Sequence, residues 1–438
     1  MLMFIKVATL CLIAGIIVVF SACESSNDPA ARAEGSNDGD SDGDSDGDTD
    51  GDGDGDSDGD TDPSGSPGDI HGRVMSPAGN FPISGALVYV TSGNGTIIED
   101  KVFCYDCEDM SSMRWTLSGS DGTWTIKDVP SGDWNIVTRK GFFQRQRTVT
   151  VVEGADTAVP EEHTTLPKDN SADNMDQIPN YAVLLNEWDR SHDLLAKFGM
   201  GEIDGEGKLQ YGTETFEIFN DSVIQGTYAA SSSLFSNAET IESYHQIFIP
   251  CTSSANSVSF INGASDVIVN YVSHGGKIYN SCCTAYWTEH NFPEYIDFFG
   301  DDNSSALDIG RITTSAYSTT GTINNLELGE WLKEVTTENI NNFPFTSGYV
   351  QIIGTADVDN GHGLDDDDGV VKPYTWVTDA SAHIGSPLMV TYPYDCGKVF
   401  FSVYETSNTP TAQITPQEYV LIYVILEVGV CDGGYDIE

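Results

Sequence analysis

The sequence predicts a multidomain protein in which a small all-β sandwich precedes an α/β domain with an open, mostly parallel sheet. Its 438 residues allow two or three domains of roughly 150 residues each. Short β-prone runs separated by turn residues fill positions 69–166, a pattern typical of a sandwich. After a polar linker at 167–179, apolar runs alternate with helical patterns over 180–438, which favours strands covered by helices on both faces.

The charge balance restricts the partners that the protein can have. Acidic residues number 68 and basic residues 19, for a formal net charge of -49. Binding to nucleic acids or to anionic lipid surfaces depends on lysine and arginine, so we expect no nucleic-acid partner. Cations are the expected counter-charge.

The first 23 residues predict an export signal. Lys6 precedes a 14-residue apolar stretch over 7–20, and Ser21-Ala22-Cys23 follow at once. This stretch is too short to span a membrane, which takes about 20 residues. Small residues directly before a cysteine resemble the lipobox of bacterial lipoproteins, which implies that residues 1–22 are a signal peptide and that Cys23 is acylated. We therefore expect membrane attachment through Cys23 in the bacterial cell envelope, at the outer membrane or cell surface; an ordinary signal peptide is the alternative.

Residues 23–68 predict a tether. Every even position from Asp38 to Asp62 is aspartate, and the residues between are glycine, serine or threonine. Low hydrophobicity combined with high charge predicts disorder, and repulsion between the carboxylates extends such a chain. We interpret the segment as a spacer, with weak calcium capture as the alternative.

The segment 69–166 contains an ordered series of strand and turn motifs. They are His71–Val74, Pro82–Val90, Ser120–Ile126 and Val129–Trp134. Their order resembles the carboxypeptidase regulatory-like domain, which implies a β-sandwich that serves as a spacer or adhesion module. The glycines and prolines of these motifs are explained by turn geometry and carry no chemistry.

Four aromatic residues of this segment suggest a second interpretation. Tyr89, Trp115, Trp124 and Trp134 would form a carbohydrate-binding surface if they lay on one face. Aromatic residues at strand spacing are more often part of a core. A carbohydrate-binding surface protein therefore stays an alternative.

The α/β segment contains several apolar runs that predict parallel strands. The clearest are Tyr181–Leu185, Gln246–Ile249 and Lys277–Asn280, and an amphipathic helix over 415–430 is expected to close the chain. The arrangement resembles the flavodoxin-like, class I glutamine amidotransferase-like fold, and a group of secreted lipoproteins joins that fold to a regulatory-like domain.

The most specific part of this resemblance is the stretch 271–283. Active members of the amidotransferase-like family end a strand there in a tight turn that carries a cysteine nucleophile, and here Cys282 and Cys283 occupy that position. The family places its activating histidine after a late strand, where this chain has Tyr404 and Glu405. Without an imidazole beside it, the thiol keeps a pKa of about 8.5, and a nearby carboxylate raises this pKa further.

The function that follows is a non-catalytic one. We expect a binding or structural module with a degenerate amidotransferase-like domain, whose ligand is an unknown protein or carbohydrate. The alternative is a thiol-dependent hydrolase or amidase that uses Cys282 or Cys283.

Export implies an oxidising compartment, so disulfides are expected. We predict a local bond between Cys104 and Cys107 and a C-terminal one between Cys396 and Cys431. Cys251 ends one predicted strand and Cys282 and Cys283 end the next, so one of these two is expected to pair with Cys251 if the strands are neighbours. The seven cysteines considered are Cys104, Cys107, Cys251, Cys282, Cys283, Cys396 and Cys431.

One acidic loop is a candidate calcium site. Asp357, Asp359, Asp365 and Asp368 place oxygen ligands around glycines, and Ca²⁺ takes six to eight oxygens. The spacing departs from that of an EF-hand. A solvated acidic loop explains the pattern equally well, so bound Ca²⁺ stays an open alternative.

Overall fold

The computed structural model describes residues 66–185, 188–220, 228–251, 258–302, 308–312, 315–364, 369–406 and 411–431. The predicted signal peptide, Cys23 and almost the whole predicted tether lie outside these ranges. The described residues, from Ser66 onward, belong to one compact unit. Within the described ranges, no helix has the length and apolar character needed to cross a membrane.

The first part of this unit consists of two small sheets. One has the order β4-β1-β7 and the other β3-β2-β5-β6. Both sheets contribute side chains to the same buried apolar cluster, such as Ile70 and Trp124 from the first and Val88 and Ile136 from the second. The strands are β1 Gly68–Arg73, β2 Leu87–Thr91, β3 Arg114–Leu117, β4 Thr123–Val129, β5 Gly132–Lys140, β6 Phe143–Val151 and β7 Asp156–Ala158.

The second part is built on one ten-stranded sheet of mixed direction. Its order is β10-β9-β8-β11-β12-β21-β20-β19-β14-β15. Strands from β10 to β21 run parallel to one another, and the last four pairings are antiparallel. The strands are β8 Tyr181–Leu185, β9 Glu217–Asn220, β10 Ala229–Ala230, β11 Gln246–Ile249, β12 Lys277–Ser281, β14 Tyr317–Ile323, β15 Phe343–Gly348, β19 Tyr374–Asp379, β20 Pro387–Tyr394 and β21 Gly397–Ser402.

Helices and two short ribbons complete the unit. The ribbons pair β13 Ile296–Phe298 with β16 Ile352–Thr355 and β17 Val358–Asp359 with β18 Val370–Val371. The fold is thus sheet-rich, as predicted. The helices are α1 Glu161–Thr164, α2 Ser191–Leu195, α3 Ser231–Leu234, α4 Ala238–Ile241, α5 Val258–Ser273, α6 Ala285–Asn291, α7 Leu326–Val335 and α8 Pro416–Val428, with 3-10 turns at Ala172–Asn174 and Cys282–Thr284 and a π turn at Ala196–Met200.

Helix α8 is buried on all sides. The helix expected over 415–430 is therefore present, but the prediction that it is amphipathic is wrong. Five consecutive residues from Val420 to Val424 are buried. The cause is that the first part covers the outer face of the helix: Lys140 forms an ion pair with Glu427, and Gly141 lies against Gly429. A helix enclosed from two directions needs apolar residues all round.

The predicted pairings Cys104–Cys107 and Cys396–Cys431 are also wrong. Cys104 is bonded to Cys396 and Cys107 to Cys431. The connection between β2 and β3 that carries Cys104 and Cys107 lies against the second part, where the Val102 amide donates to the Glu242 carbonyl at 2.8 Å. Each cysteine of that connection therefore meets a cysteine of the C-terminal region instead of its near neighbour in sequence.

Candidate thiol site

The candidate site lies at the carboxyl ends of the parallel strands. Numbered along the chain, these six strands have the spatial order 3-2-1-4-5-6, which reverses between β8 and β11. Open α/β sheets bind ligands in the crevice at such a reversal. Asp189 follows β8, Cys251 follows β11, Cys282 and Cys283 follow β12, and Glu405 follows β21.

The turn after β12 is fixed by a reciprocal cap. The Ser281 amide donates to Thr284 Oγ1 at 3.0 Å, and the Ser281 side chain in turn accepts from the Thr284 backbone. Cys282 adopts a φ of 50°, in the left-handed region that residues other than glycine seldom occupy. The Cys282 side chain is buried, and that of Cys283 is half-buried. The tight turn predicted at this position is therefore present.

Three thiols meet at this turn, and we call Cys251, Cys282 and Cys283 the thiol cluster. Their sulfur atoms all lie within 4.8 Å of one another, and the Sγ atoms of Cys282 and Cys283 are 3.5 Å apart. β11 and β12 are neighbours, as the prediction for Cys251 required. The predicted disulfide of Cys251 is nevertheless absent, because the three sulfurs lie at non-bonded distances and remain thiols.

A fully buried aspartate holds the strand ends together. Asp189 accepts hydrogen bonds from Ser281 Oγ, from Thr406 Oγ1 at 2.8 Å and from Ser191 Oγ at 3.0 Å. Burial raises the pKa of Asp189, although these hydrogen bonds oppose the shift. The Cys251 amide also donates to Ser281 Oγ at 3.1 Å, so Ser281 connects Asp189 with the thiol cluster.

Glu405 lies beside the cluster as a buried acid. Its side chain is 1% exposed and forms a hydrogen bond with Cys251, and its Oε2 atom has no hydrogen-bond partner among the described residues. Burial, then the charges of Asp189 and Cys283, raise the pKa of Glu405 to about 9. The carboxyl group is therefore protonated at neutral pH and cannot act as a general base there.

The negative charge of the cluster is concentrated on Cys283. Hydrogen bonds from Cys251 and Cys282 lower the pKa of the Cys283 thiol, and the Arg311 guanidinium adds to the effect. Burial raises the pKa of Cys282 well above its usual range. One thiolate supported by two neutral thiols is thus the expected state at neutral pH.

A cavity of about 200 Å³ opens onto Cys283, and we call it the thiol pocket. No histidine of the described residues lines it. His192 is buried beside Asp193 and stacks with Tyr211, and His383 packs against Tyr317. The lining residues are Trp188, Cys251, Cys283, Arg311, Tyr349 and Glu405.

Sequence reasoning missed Trp188, Asp189, Arg311 and Tyr349. A signal existed for Asp189, because polar residues just after a buried parallel strand tend to face the ligand crevice. Arg311 and Tyr349 belong to connections outside the parallel strands, and no periodic pattern points to them.

The acidic loop that was predicted as a calcium site is described only in part. Asp357 and Asp359 are exposed, whereas Asp365 and Asp368 lie outside the described residues, so calcium binding by this loop stays a prediction.

The four aromatic residues do not share an exposed face. Tyr89 and Trp124 are buried in separate apolar clusters, Trp115 packs against the cluster of Tyr89, and Trp134 packs against that of Trp124. The core interpretation of these side chains is therefore the favoured one.

Comparisons with known proteins give only distant likenesses. No family model and no curated protein matches the chain. Among solved structures, the major pilin subunit of Bacillus cereus is 13% identical with a TM-score of 0.17, covering 23% of this chain and 30% of the pilin. A cytoplasmic protein from Salmonella typhimurium LT2 is 14% identical with a TM-score of 0.31, covering 70% of this chain and 97% of that protein. A β-galactosidase from Bacillus circulans sp. alkalophilus is 7% identical with a TM-score of 0.28, covering 57% of this chain and 31% of the enzyme. The chain thus spans less than a third of the pilin and of the galactosidase, and TM-scores this low do not establish a shared fold.

Proposed function

We propose that the protein is a lipoprotein of the bacterial cell envelope, anchored through acylated Cys23, whose amidotransferase-like part binds a ligand in the thiol pocket without hydrolysing it. The regulatory-like sheets and the acidic tether would then hold this pocket away from the membrane. The observation that carries the proposal is the side chain of Glu405, a buried acid with a raised pKa at the place where the family has its histidine.

The chemistry of a thiol hydrolase needs a base that removes the thiol proton and an acid that protonates the leaving group. A protonated Glu405 supplies no base at neutral pH, and no histidine of the described residues lines the pocket. Cys282, the residue with the left-handed backbone, has a buried sulfur with a raised pKa. These features support binding over turnover.

The hydrolase remains the second candidate because of Cys283. Its thiol has a lowered pKa and lines the cavity next to Arg311, two properties that a nucleophile requires.

Assaying the mature chain against a panel of amides and esters separates the two candidates. We expect no turnover by the parent protein or by Cys282→Ser and Cys283→Ser. Asp357→Asn serves as the control, since this exposed side chain belongs to the acidic loop and does not line the pocket. Turnover that is lost on Cys282→Ser or Cys283→Ser but kept on Asp357→Asn would establish the hydrolase.

Membrane anchoring is tested separately. Cys23→Ser is expected to release the protein from the membrane fraction, because acyl chains contribute about 0.8 kcal/mol per buried methylene. If the Cys23→Ser protein stays in the membrane fraction until detergent is added, the anchor lies elsewhere.

A further inference from the structure

We propose that the thiol cluster binds a single thiophilic metal cation, of the class of Zn²⁺ or Cu⁺. The inference rests on the proposed function, because it names the ligand of the same pocket. It starts from the three sulfur atoms, which lie within 4.8 Å of one another at the ends of two neighbouring parallel strands.

The spacing of the sulfurs suits such an ion. With Zn–S bonds of about 2.3 Å, tetrahedral or trigonal coordination places sulfur atoms about 3.8 to 4.0 Å apart. The observed separations, 3.5 Å between Cys282 and Cys283 and at most 4.8 Å within the cluster, bracket that value. Binding therefore needs sulfur movements below about 1 Å, which side-chain rotation can supply.

The cluster is also held in place by the fold. The Cys251 amide is tied to Ser281 Oγ, and the turn that carries Cys282 and Cys283 is closed by the reciprocal cap between Ser281 and Thr284. Metal sites need ligands that are held by such second contacts.

An unpartnered oxygen provides an independent sign of a missing ligand. Glu405 Oε2 is buried without a hydrogen-bond partner among the described residues, on a side chain that lines the pocket and contacts Cys251. A buried polar atom without a partner costs free energy, and a cation next to the sulfurs would satisfy it. The pocket itself leaves room for a water molecule as a further ligand.

The proton balance is simple. The cation displaces the two thiol protons of Cys251 and Cys282, and these pass to the solvent; Glu405 is also protonated at neutral pH, so its proton leaves with them when Oε2 binds the ion. No oxidant or reductant takes part. Hard cations such as Ca²⁺ are excluded, since they bind oxygen ligands.

Cobalt titration of the full mature chain, purified without reductant, tests the inference. We expect three titratable thiols in denaturant, one equivalent of bound Co²⁺ with thiolate-to-cobalt charge-transfer absorption, and displacement by Zn²⁺. Cys251→Ser, Cys282→Ser and Cys283→Ser should each abolish the absorption and lower Zn²⁺ affinity at least about 100-fold. The double variant Asp357→Asn/Asp359→Asn, which alters the other candidate metal loop, should bind cobalt as the parent does.

Other results overturn it. A single titratable thiol would mean that two of the three cysteines are joined in a disulfide, and absorption that survives any one of the serine substitutions would rule out a three-sulfur site. Three thiols without charge-transfer absorption would do the same. Amide or ester turnover overturns the non-hydrolytic role alone, because the cobalt titration is read independently of activity.

Discussion

The two disulfides allow a prediction whose magnitude follows from the topology of the cross-links. Cys104 joins Cys396 and Cys107 joins Cys431, with Cα atoms 5.0 Å apart in both pairs. The first bond to form closes a loop with a sequence separation of 292. Once this bond exists, the second bond closes a smaller loop. That loop consists of the segments 104–107 and 396–431, which together span about 38 residues. On the chain-entropy model the first closure is worth about 6 kcal/mol and the second about 4 kcal/mol.

Two double variants with equal numbers of cysteines removed test this arrangement. Cys104→Ser/Cys396→Ser deletes one bond and is expected to lower the free energy of unfolding by about 4 kcal/mol. Cys104→Ser/Cys107→Ser deletes one partner of each bond and is expected to lower it by about 10 kcal/mol. The difference arises because the second variant opens both loops.

The assay is equilibrium urea unfolding without reductant, with thiol titration of each variant. If Cys104 were bonded to Cys107 and Cys396 to Cys431, Cys104→Ser/Cys396→Ser would be the more destabilised of the two double variants. In that case Cys104→Ser/Cys107→Ser would lose only a short loop worth about 2 kcal/mol. That order, or a peptide linking Cys104 to Cys107 in a non-reducing digest, would refute the reasoning.

Two further predictions concern buried charge. Lys197 donates to both carboxylate oxygens of Glu418 at 3.0 and 3.1 Å, and both side chains are buried. Lys197→Met should therefore lower the free energy of unfolding in urea by about 3 to 5 kcal/mol, and adding Glu418→Gln should restore most of that loss. An unchanged urea midpoint for Lys197→Met would contradict this prediction. Burial lowers the pKa of His245 to about 4. The unfolded chain takes up this proton near pH 6.5 and the folded one near pH 4, so His245 alone should lower the free energy of unfolding by about 3 kcal/mol as pH drops through that window. Burial also lowers the pKa of His192 to about 4, so His245→Gln should reduce the slope of that part of the pH–stability profile by about half, and an equal slope in the variant would show that His245 does not contribute.

The sequence predicted the strands of the parallel half well. Tyr181–Leu185 and Gln246–Ile249 are strands with those bounds, because strands covered on both faces are apolar at every position. The antiparallel half was less readable, since its strands such as Tyr317–Ile323 mix polar and apolar residues. The burial of α8 was readable from its run of apolar residues from Val420 to Leu426, but the sequence did not show that the first part of the chain covers the helix.

The candidate site was predicted in part for a similar reason. Cys251, Cys282 and Cys283 each follow a readable strand, so their proximity could be expected from strand order alone. Whether these cysteines are thiols or disulfides could not be predicted, because a strand pattern does not give the distances between side-chain atoms. The Sγ atoms of Cys282 and Cys283 lie 3.5 Å apart without forming a bond. Arg311, whose charge supports the Cys283 thiolate, lies in a connection that no pattern marks.

The ionisation of the cluster also bears on the choice between nucleophile and ligand. Cys283 is held as a thiolate by hydrogen bonds from Cys251 and Cys282 and by the charge of Arg311. Each of these contacts withdraws electron density from the sulfur, and the intrinsic nucleophilicity of a thiolate falls as its pKa falls. A protonated Glu405 can donate a proton to a leaving group, but at neutral pH it cannot remove one from a thiol or from an attacking water. The same two neighbouring thiols that weaken Cys283 as a nucleophile become ligands themselves once a cation displaces their protons, and for that reason the arrangement favours coordination over catalysis.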